Sequence, residues 1–312
     1  MSQRLKVVYI SGAGRSGTTL IDNVLGQVPR IFSAGEMRFI WDRNVRDDRI
    51  CGCGESFSRC PVWSQIMAHA FGAHPPDGSM VVRWRESAVR LRSAPFASSS
   101  CLARRTRARS ANFLTTLERL YHATAEVTGS RVVVDSSKYP DYGYLLSLID
   151  SLDVRVVHVI RDPRAVAHSL TRSKMERRTQ QTVQAMDRVS PYRSAVDWAL
   201  WAVLAEHYGR QARPSALRLR YEDFVARPTE SIERIARHAD IGLPALDFIH
   251  EGWVRMGANH TVGGNPGRHT TGRVTLTLDE DWRARMRPLH RRVVTTATTP
   301  WRLAYGYRRG AT

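Results

Sequence analysis

The sequence predicts an α/β protein in which a central, mostly parallel sheet lies between two layers of helices, a P-loop-like three-layer fold. Three segments rich in β-branched residues carry this prediction, and each runs directly into a helical pattern: residues 6–10, 131–135 and 154–160. Strands that alternate with helices form parallel sheets with helices on both faces. We therefore expect the chain of 312 residues to form one domain that spans residues 1–312.

The first unit is a strand, a glycine-rich loop and a helix. The loop runs from Gly12 to Thr19, and residues 20–25 place apolar side chains at helical spacing. Such a junction binds phosphate groups, because free backbone N–H groups and the positive end of the helix dipole meet there. The spacing is that of a P-loop, but Thr18 stands where nucleoside-triphosphate enzymes have lysine. ATP or GTP hydrolysis is therefore disfavoured.

The later units have the same design. The strand at residues 131–135 leads into residues 136–140 and a leucine-rich helix, and residues 216–220 lead into a helix that begins near Tyr221. In the clearest unit the strand at residues 154–160 ends at Arg161, after which Asp162 is a helix cap and Pro163 the first helical residue.

Two stretches interrupt this alternation. Residues 42–110 contain three of the four cysteines up to Cys60, followed by Pro75-Pro76, and they predict a mainly helical insertion within the single domain. Residues 257–275 are glycine-rich and polar, which predicts a long loop of the kind that is often functional.

The chain is strongly basic, with 47 Lys and Arg against 29 Asp and Glu and a formal charge of +18. Such a balance fits an anionic ligand, a polyanion or a membrane surface. No nucleic-acid module is recognisable, so we expect no specific nucleic-acid partner. A non-catalytic, basic polyanion-binding protein remains the alternative from another class. The sequence has no run of about 18 apolar residues, so we expect no transmembrane segment and a cytoplasmic protein.

Three segments together resemble the sulfotransferases that use 3′-phosphoadenosine 5′-phosphosulfate (PAPS). They are Arg-Ser-Gly-Thr-Thr at residues 15–19, the run from Arg161 to Ser169, and Gly-Asn-Pro-Gly-Arg at residues 264–268. The likeness is to bacterial members of the tyrosylprotein and carbohydrate branch. It implies that the 5′-phosphosulfate is held by Gly14, Arg15, Ser16, Gly17, Thr18, Thr19 and Leu20, and the 3′-phosphate by Arg161, Ser169, Gly267 and Arg268.

The same resemblance implies the catalytic groups. Glu36 lies in a Gly-Glu segment like the one that supplies the general base in tyrosylprotein and several bacterial sulfotransferases, and no histidine occupies residues 136–140, where aryl and steroid enzymes carry theirs. Lys138 and Arg15 would neutralise charge on the leaving group. The alternatives are a salt bridge from Glu36 to Arg38 or Arg15, and a surface position for Lys138.

The implied reaction transfers a sulfuryl group from PAPS to a hydroxyl or amine and requires no metal. The acceptor is a small molecule, carbohydrate, lipid or peptide, since the motifs concern only the donor. A small-molecule kinase with a degenerate P-loop is the competing enzyme class.

Three further groups of residues are expected to have structural roles. Cys51, Cys53 and Cys60 could suggest zinc with Cys101, His69 or His74 as the fourth ligand, but their spacing is uneven. We favour a local turn with reduced thiols, or a disulfide, and expect no metal site. Trp198 and Trp201 lie at helical spacing and predict a core stripe, and His158 lies within a strand and predicts a packed side chain.

Overall fold

A computed structural model of the protein describes residues 4–88, 100–173, 175–212 and 214–307. The described strands are β1 (Leu5–Ser11), β2 (Ile31–Gly35), β3 (Val132–Lys138), β4 (Leu152–Ile160), β5 (Met175–Arg177), β6 (Val183–Ala185), β7 (Leu217–Arg220), β8 (Ile249–His250), β9 (Trp253–Met256) and β10 (Gly272–Thr275). Five of them form the central sheet in the order β2-β3-β1-β4-β7. Every pairing in this sheet is parallel, as the sequence predicts.

The described α-helices complete the three layers. They are α1 (Thr18–Leu25), α2 (Pro61–Phe71), α3 (Gly78–Ala88), α4 (Ser100–Arg109), α5 (Ala111–Thr128), α6 (Pro140–Ser147), α7 (Pro163–Thr171), α8 (Pro191–Gln211), α9 (Tyr221–Ala226), α10 (Pro228–Ala239), α11 (Trp282–Arg285), α12 (Pro288–Ala297) and α13 (Thr299–Ala304).

The sheet has an apolar core on each face because successive side chains of a strand point to opposite sides. In β1, Val7 and Tyr9 pack with residues of α5 and α6, whereas Val8 and Ile10 pack with residues of α1 and α10. All four side chains are essentially inaccessible to solvent. The three-layer α/β fold predicted from the sequence is thereby confirmed.

The stretch between β2 and β3 is mainly helical where it is described. It holds a 3₁₀ turn at Met37–Phe39, a π-helix at Ile40–Arg46, a 3₁₀ turn at Phe57–Arg59, and the helices α2 to α5. Trp63 of α2 is buried in the same core as the first face of the sheet, so this stretch is packed onto the domain. Part of the predicted insertion, residues 89–99, lies outside the described residues.

The glycine-rich stretch at 257–275 is more ordered than a plain loop. It contains a 3₁₀ turn at Pro266–His269 and ends in β10, which pairs antiparallel with β9. Strand β10 has only four residues, too few to show the alternation of apolar and polar side chains from which a strand is predicted. Its first half is tied to β2, because the Val262 amide donates to the Ala34 carbonyl (2.9 Å) and the Glu36 amide donates to the Val262 carbonyl (2.6 Å).

Candidate active site

A cavity of about 670 Å³ opens where the strands of the central sheet end. All strands of a parallel sheet have their carboxyl ends at the same edge. Ligands bind open α/β sheets in the crevice at this edge, at the point where the strand order reverses. Here β1 has β3 on one side and β4 on the other, and the loop after β1 lines the cavity. Of the predicted site residues, the lining includes Gly14, Arg15, Gly17, Thr18, Thr19, Leu20, Glu36, Lys138, Arg161, Ser169 and Gly267.

The loop from Gly12 to Thr19 depends on close backbone approaches. Gly17 has φ 86°, a conformation that favours glycine, and a Cβ there would lie 2.1 Å from the Tyr221 ring. Helix α1 begins at the next residue, Thr18, so the amides of Thr18 and Thr19 lie in its first turn, where they have no intrahelical acceptor. This arrangement offers an anion several N–H groups and the positive end of a helix.

Arg15 extends from this loop into the cavity. Its Nη1 is buried and has no hydrogen-bond partner among the described residues, while its Nη2 lies 3.2 Å from the sulfur of Met186. Burial lowers the pKa of the guanidinium, although arginine stays charged at neutral pH. A partly buried cation with an unused buried donor is suited to receive an anionic ligand.

Arg161 and Ser169 line the same cavity from β4 and α7, as their spacing predicts. Arg161 follows β4 directly, and its Nη1 donates to the carbonyl of Arg15 (3.0 Å). Its guanidinium carbon lies 5.0 Å from the centre of the Tyr221 ring. Asp162 caps α7 by accepting from the Arg164 amide at 2.8 Å, so the predicted helix start is confirmed. Ser169 is 3% exposed, two turns further along the helix.

Glu36 forms the centre of a buried charge cluster. One carboxylate oxygen, Oε1, accepts from Nζ of Lys138, and the other, Oε2, lies 3.0 Å from Nη1 of Arg43. Burial opposes ionisation of Glu36, but the Lys138 and Arg43 cations outweigh it and hold its pKa below the usual value. The alternative predicted a salt bridge from Glu36 to Arg38 or Arg15, and these partners are wrong. Arg38 lies beside Asp141 (3.9 Å), and Arg15 lies beside Met186.

Lys138 is a partly buried lysine that faces the cavity rather than the outer surface, with a side chain 16% exposed. Its backbone has φ 75°, a left-handed conformation that costs a non-glycine residue of order 1 kcal/mol or more. Its carbonyl accepts from the Gly12 amide (3.2 Å) and from the Ser11 hydroxyl (2.9 Å). The strained turn at the end of β3 is thus fixed by the start of the glycine-rich loop, and it directs the ammonium group to Glu36.

Two buried carboxyl groups lie behind the cluster and were not predicted from the sequence. Asp22 of α1 accepts from the hydroxyls of Ser33 and Ser136, each at 2.6 Å, and burial raises its pKa to about 7 against these bonds. Burial likewise raises the pKa of Asp135 to about 6, opposed by hydrogen bonds from Ser137 and Tyr121. Both groups brace the strand ends from which Lys138 and Glu36 extend.

Two predicted donor residues do not line the cavity. Ser16 is fully buried, and its hydroxyl has no hydrogen-bond partner among the described residues. Arg268 is 2% exposed and donates to the carbonyls of Gly264 (3.3 Å) and Ile50 (3.1 Å), so it holds its own loop in place. The loop itself reaches the cavity at Gly267, and the Asn265 amide donates to Thr19 Oγ1 (3.2 Å). Donor binding by Ser16 and Arg268 stays a prediction.

Several cavity residues were missed in the sequence. Arg43 lies seven residues after Glu36, which is two turns of helix, and this spacing is the one signal that could have indicated it. The spacing of Trp198 and Trp201 predicts core positions, and Trp198 is indeed buried, with its indole N–H donating to the Arg161 carbonyl (3.2 Å). Both side chains nevertheless line the cavity. His158 is buried near Glu206 (3.7 Å), as expected for a packed side chain.

The lining of the cavity carries more positive than negative groups. The basic side chains are Arg15, Arg43, Arg49, Lys138, Arg161 and Arg178, and the carboxylates are Glu36, Glu176, Asp187 and Asp197. Glu36 is already paired with two of the cations. The remaining excess fits an anionic ligand.

Away from the cavity, the cysteines of the insertion gather round a histidine that the sequence did not indicate. The polar atoms of Cys51, Cys53, Cys60 and His260 all lie within 4.8 Å of one another. Of the residues considered in the sequence as a fourth ligand, Cys101 is exposed and His69 pairs with Glu126 (2.6 Å), so His260 and not one of Cys101, His69 and His74 lies with the three thiols. All four cysteines of the chain are free thiols.

No helix in the described part of the chain has the length and apolar character needed to cross a membrane.

Comparison with known proteins agrees with this geometry. The chain resembles the sulfotransferase domain from the curacin biosynthetic pathway (15% identity, 98% of this chain and 100% of that chain, TM-score 0.54). It also resembles the sulfotransferase domain from the Synechococcus PCC 7002 olefin synthase (18% identity, 96% of each chain, TM-score 0.51). At these identities the likeness shows the fold. None of the curated proteins matches the chain significantly.

The decisive comparison is with a family. The model of the sulfotransferase family matches residues 8–245, which include the glycine-rich loop, Glu36, Lys138, Arg161 and Ser169. This match covers well over half of the chain, and the protein is accordingly a transferase that belongs to the sulfotransferase family.

Proposed function

We propose that the protein transfers a sulfuryl group from PAPS to a hydroxyl or amine acceptor, with Glu36 as the general base. The observation that carries this proposal is the meeting, in one cavity, of a glycine-rich helix start, the Arg161 and Ser169 pair, and the Glu36 and Lys138 pair. The first two suit a ligand with phosphate groups at two separated positions, and the third suits proton transfer between them.

The donor site fits such a ligand on its own chemistry. The first-turn amides of α1 and the unpartnered Nη1 of Arg15 offer donors to a 5′-phosphosulfate. Arg161 and Ser169 offer a guanidinium and a hydroxyl to a 3′-phosphate, and we propose that Gly267 closes the loop beside them. When bound, PAPS supplies the sulfuryl group, and adenosine 3′,5′-bisphosphate is the product that remains.

The charge cluster supplies the proton chemistry. Lys138 and Arg43 keep Glu36 ionised, which a general base requires. The acceptor proton passes to a carboxylate oxygen of Glu36, and this weakens its attraction to Lys138. The Lys138 ammonium is then available to stabilise negative charge that develops on the transferring and leaving oxygens, and Arg15 does the same from the other side. These steps use no metal ion.

We propose that the chain forms one domain whose insertion helps to shape the acceptor side. Arg43 and Arg49 reach the cavity from this stretch, and Phe39, Tyr139 and Trp201 add aromatic surface. Aromatic walls with basic groups suit an acceptor that is partly apolar and anionic. The chemical class of the acceptor, whether small molecule, carbohydrate, lipid or peptide, follows from screening once donor binding is established.

The test is calorimetric titration of adenosine 3′,5′-bisphosphate into the protein in buffer with a chelator, with adenosine 5′-phosphate in the same buffer as one control. ATP with Mg²⁺, in a separate buffer without chelator, is the other control. We expect binding that depends on the 3′-phosphate and is weaker by about 10-fold or more without it, the value of one charged hydrogen-bonded group. Preferential binding of Mg²⁺-ATP would instead favour the kinase alternative. Equal, steeply salt-dependent binding of any polyanion would favour the binding protein.

A further inference from the structure

We propose that Cys51, Cys53, Cys60 and His260 form a structural zinc site that joins the insertion to the loop carrying His260. Three thiol sulfurs and one imidazole nitrogen are a donor set that binds Zn²⁺ in closed, four-coordinate sites. The site is separate from the cavity, since none of the four residues lines it. Its role is structural, and no step of the proposed sulfuryl transfer takes place on the metal.

Three separations within the cluster are within about 0.3 Å of those in a tetrahedron around zinc. Bonds of about 2.3 Å to sulfur and 2.0–2.1 Å to nitrogen place two sulfurs about 3.8 Å apart, and a sulfur and a nitrogen about 3.6 Å apart. Here the sulfurs of Cys53 and Cys60 are 3.8 Å apart. Nδ1 of His260 lies 3.3 Å from the Cys60 sulfur and 3.9 Å from the Cys51 sulfur. The remaining separations are below 4.8 Å.

Local backbone structure fixes the three cysteines. The turn that carries Cys51 and Cys53 is closed by two hydrogen bonds, from the Cys51 amide to the Glu55 carbonyl (2.8 Å) and from the Gly54 amide to the Cys51 carbonyl (2.9 Å). Cys60 is the residue that immediately precedes α2. The start of a helix favours negative charge on a nearby group, which suits a thiolate that binds a metal.

The histidine is held in place by separate contacts. The Trp63 indole N–H donates to the His260 carbonyl at 2.6 Å, and Trp63 is completely buried. On the other side, the Gly52 amide donates to the carbonyl of Thr261 (3.0 Å). The turn that carries two cysteines and the loop that carries the histidine therefore meet whether or not a metal is bound.

The position of the cluster gives the site its consequence. His260 is two residues before Val262, whose carbonyl accepts from the Glu36 amide. A zinc ion would therefore tether the segment that supports Glu36 to the cysteine turn and to the start of α2. Loss of the ion is expected to lower thermal stability and to loosen the support of Glu36.

The first experiment measures metal content. The protein is purified with a tag that does not bind metal, in reducing buffer, and zinc is quantified by mass spectrometry of the elements. We expect about one zinc per chain in the wild type and in the control Cys101→Ser, whose thiol is exposed and outside the cluster. The double variant Cys51→Ser/Cys53→Ser should retain less than about a tenth of it and should melt at least about 5 °C lower.

The second experiment does not depend on the folding of that variant. Wild-type protein is unfolded with a chelator and refolded with Co²⁺, which in a thiolate site gives visible absorption bands and a sulfur-to-metal charge-transfer band. Appearance of these bands in the wild type and in Cys101→Ser supports the proposal. A metal-free wild type that refolds with Co²⁺ but without these bands would overturn it, as would an intact mass that shows a Cys53–Cys60 disulfide after purification without reductant.

Discussion

The ammonium group of Lys138 donates directly to the carboxylate of Glu36, across the ends of two neighbouring parallel strands. The two residues are 102 positions apart in the chain, and the pair exists because β3 lies between β2 and β1. In our account this ion pair is the resting state of the catalytic groups. It keeps the base ionised and holds the lysine beside the cavity.

Glu36→Gln tests the base. Removing a general base lowers kcat by about 10²–10⁴-fold. Affinity for adenosine 3′,5′-bisphosphate should stay within about twofold, because Glu36 is not among the residues proposed to bind the nucleotide. Turnover and calorimetry measure the two effects. Glu233→Gln, at an exposed carboxylate of α10, is the matched control and should change neither. Near-normal turnover in Glu36→Gln would show that Glu36 is not the base. Loss of turnover in Asp197→Asn instead would indicate that another carboxylate has this role.

Lys138→Met tests the coupling of the pair. Burial raises the pKa of Glu36 and the two cations lower it, so loss of Lys138 should raise that pKa. In the wild type Glu36 is ionised at any pH above its lowered pKa. Activity therefore falls only when the pH drops through that pKa. The acid limb of the kcat/KM profile should therefore move to higher pH in Lys138→Met. Lys138→Arg should keep the limb near its original place, and an unmoved limb in Lys138→Met would show that the lysine does not control the base.

Arg161→Ala tests the 3′-phosphate site. A hydrogen bond to a charged group contributes about 1.5–3 kcal/mol, so we expect about 10- to 150-fold weaker binding of adenosine 3′,5′-bisphosphate. Adenosine 5′-phosphate, which lacks the group, should lose much less. Arg237→Ala, at an exposed arginine of α10, is the control. An equal loss for both nucleotides would indicate that Arg161 acts through the carbonyl of Arg15, which it also contacts.

Gly17→Ala and Gly14→Ala separate two uses of glycine in the loop. At Gly17 the added methyl group would clash with the Tyr221 ring and meet an unfavourable φ, which costs at least about 1–2 kcal/mol of unfolding free energy. At Gly14 a Cβ meets nothing within 4 Å, so stability should change by less than about 0.5 kcal/mol. Chemical denaturation of both variants measures the difference. Equal stabilities would contradict the packing of Tyr221 on Gly17.

Asp22→Asn tests the buried carboxyl behind the site. Its folded pKa of about 7 is above the unfolded value of about 3.9. The folded state thus holds the Asp22 proton more tightly than the unfolded state does. The tighter binding adds to the free energy of unfolding in full below about pH 4, and this contribution is lost as the pH rises to 7. The variant lacks this titration, so relative to the wild type its free energy of unfolding should gain a few kcal/mol between pH 4 and pH 8, about 4 kcal/mol at most, since each pKa unit is worth about 1.4 kcal/mol. Denaturation at both pH values measures this, with the exposed Asp150→Asn as control; a constant difference would contradict the raised pKa.

The sequence predicts those parts of the fold and site that depend on local pattern. The strands β1, β3, β4 and β7, the loop at Gly17 and the cap at Asp162 each have a signature within about ten residues. The short strands β5 and β10 do not, because three or four residues carry no reliable alternation. Contacts between distant segments were missed for a related reason. The pairing of Glu36 with Lys138 is set by the neighbouring positions of β2 and β3, and that of Cys60 with His260 by how the insertion folds back onto the domain.

The proposed donor site is tested most directly by a crystal structure of the protein with adenosine 3′,5′-bisphosphate. We expect the 5′-phosphate against the loop of residues 14–19, with a new bond from the free Nη1 of Arg15, and the 3′-phosphate between Arg161 and Ser169. We also expect Glu36 and Lys138 to lie beside the 5′-phosphate. A nucleotide bound elsewhere, or with its 3′-phosphate in solvent and away from Arg161, would contradict the proposed donor site.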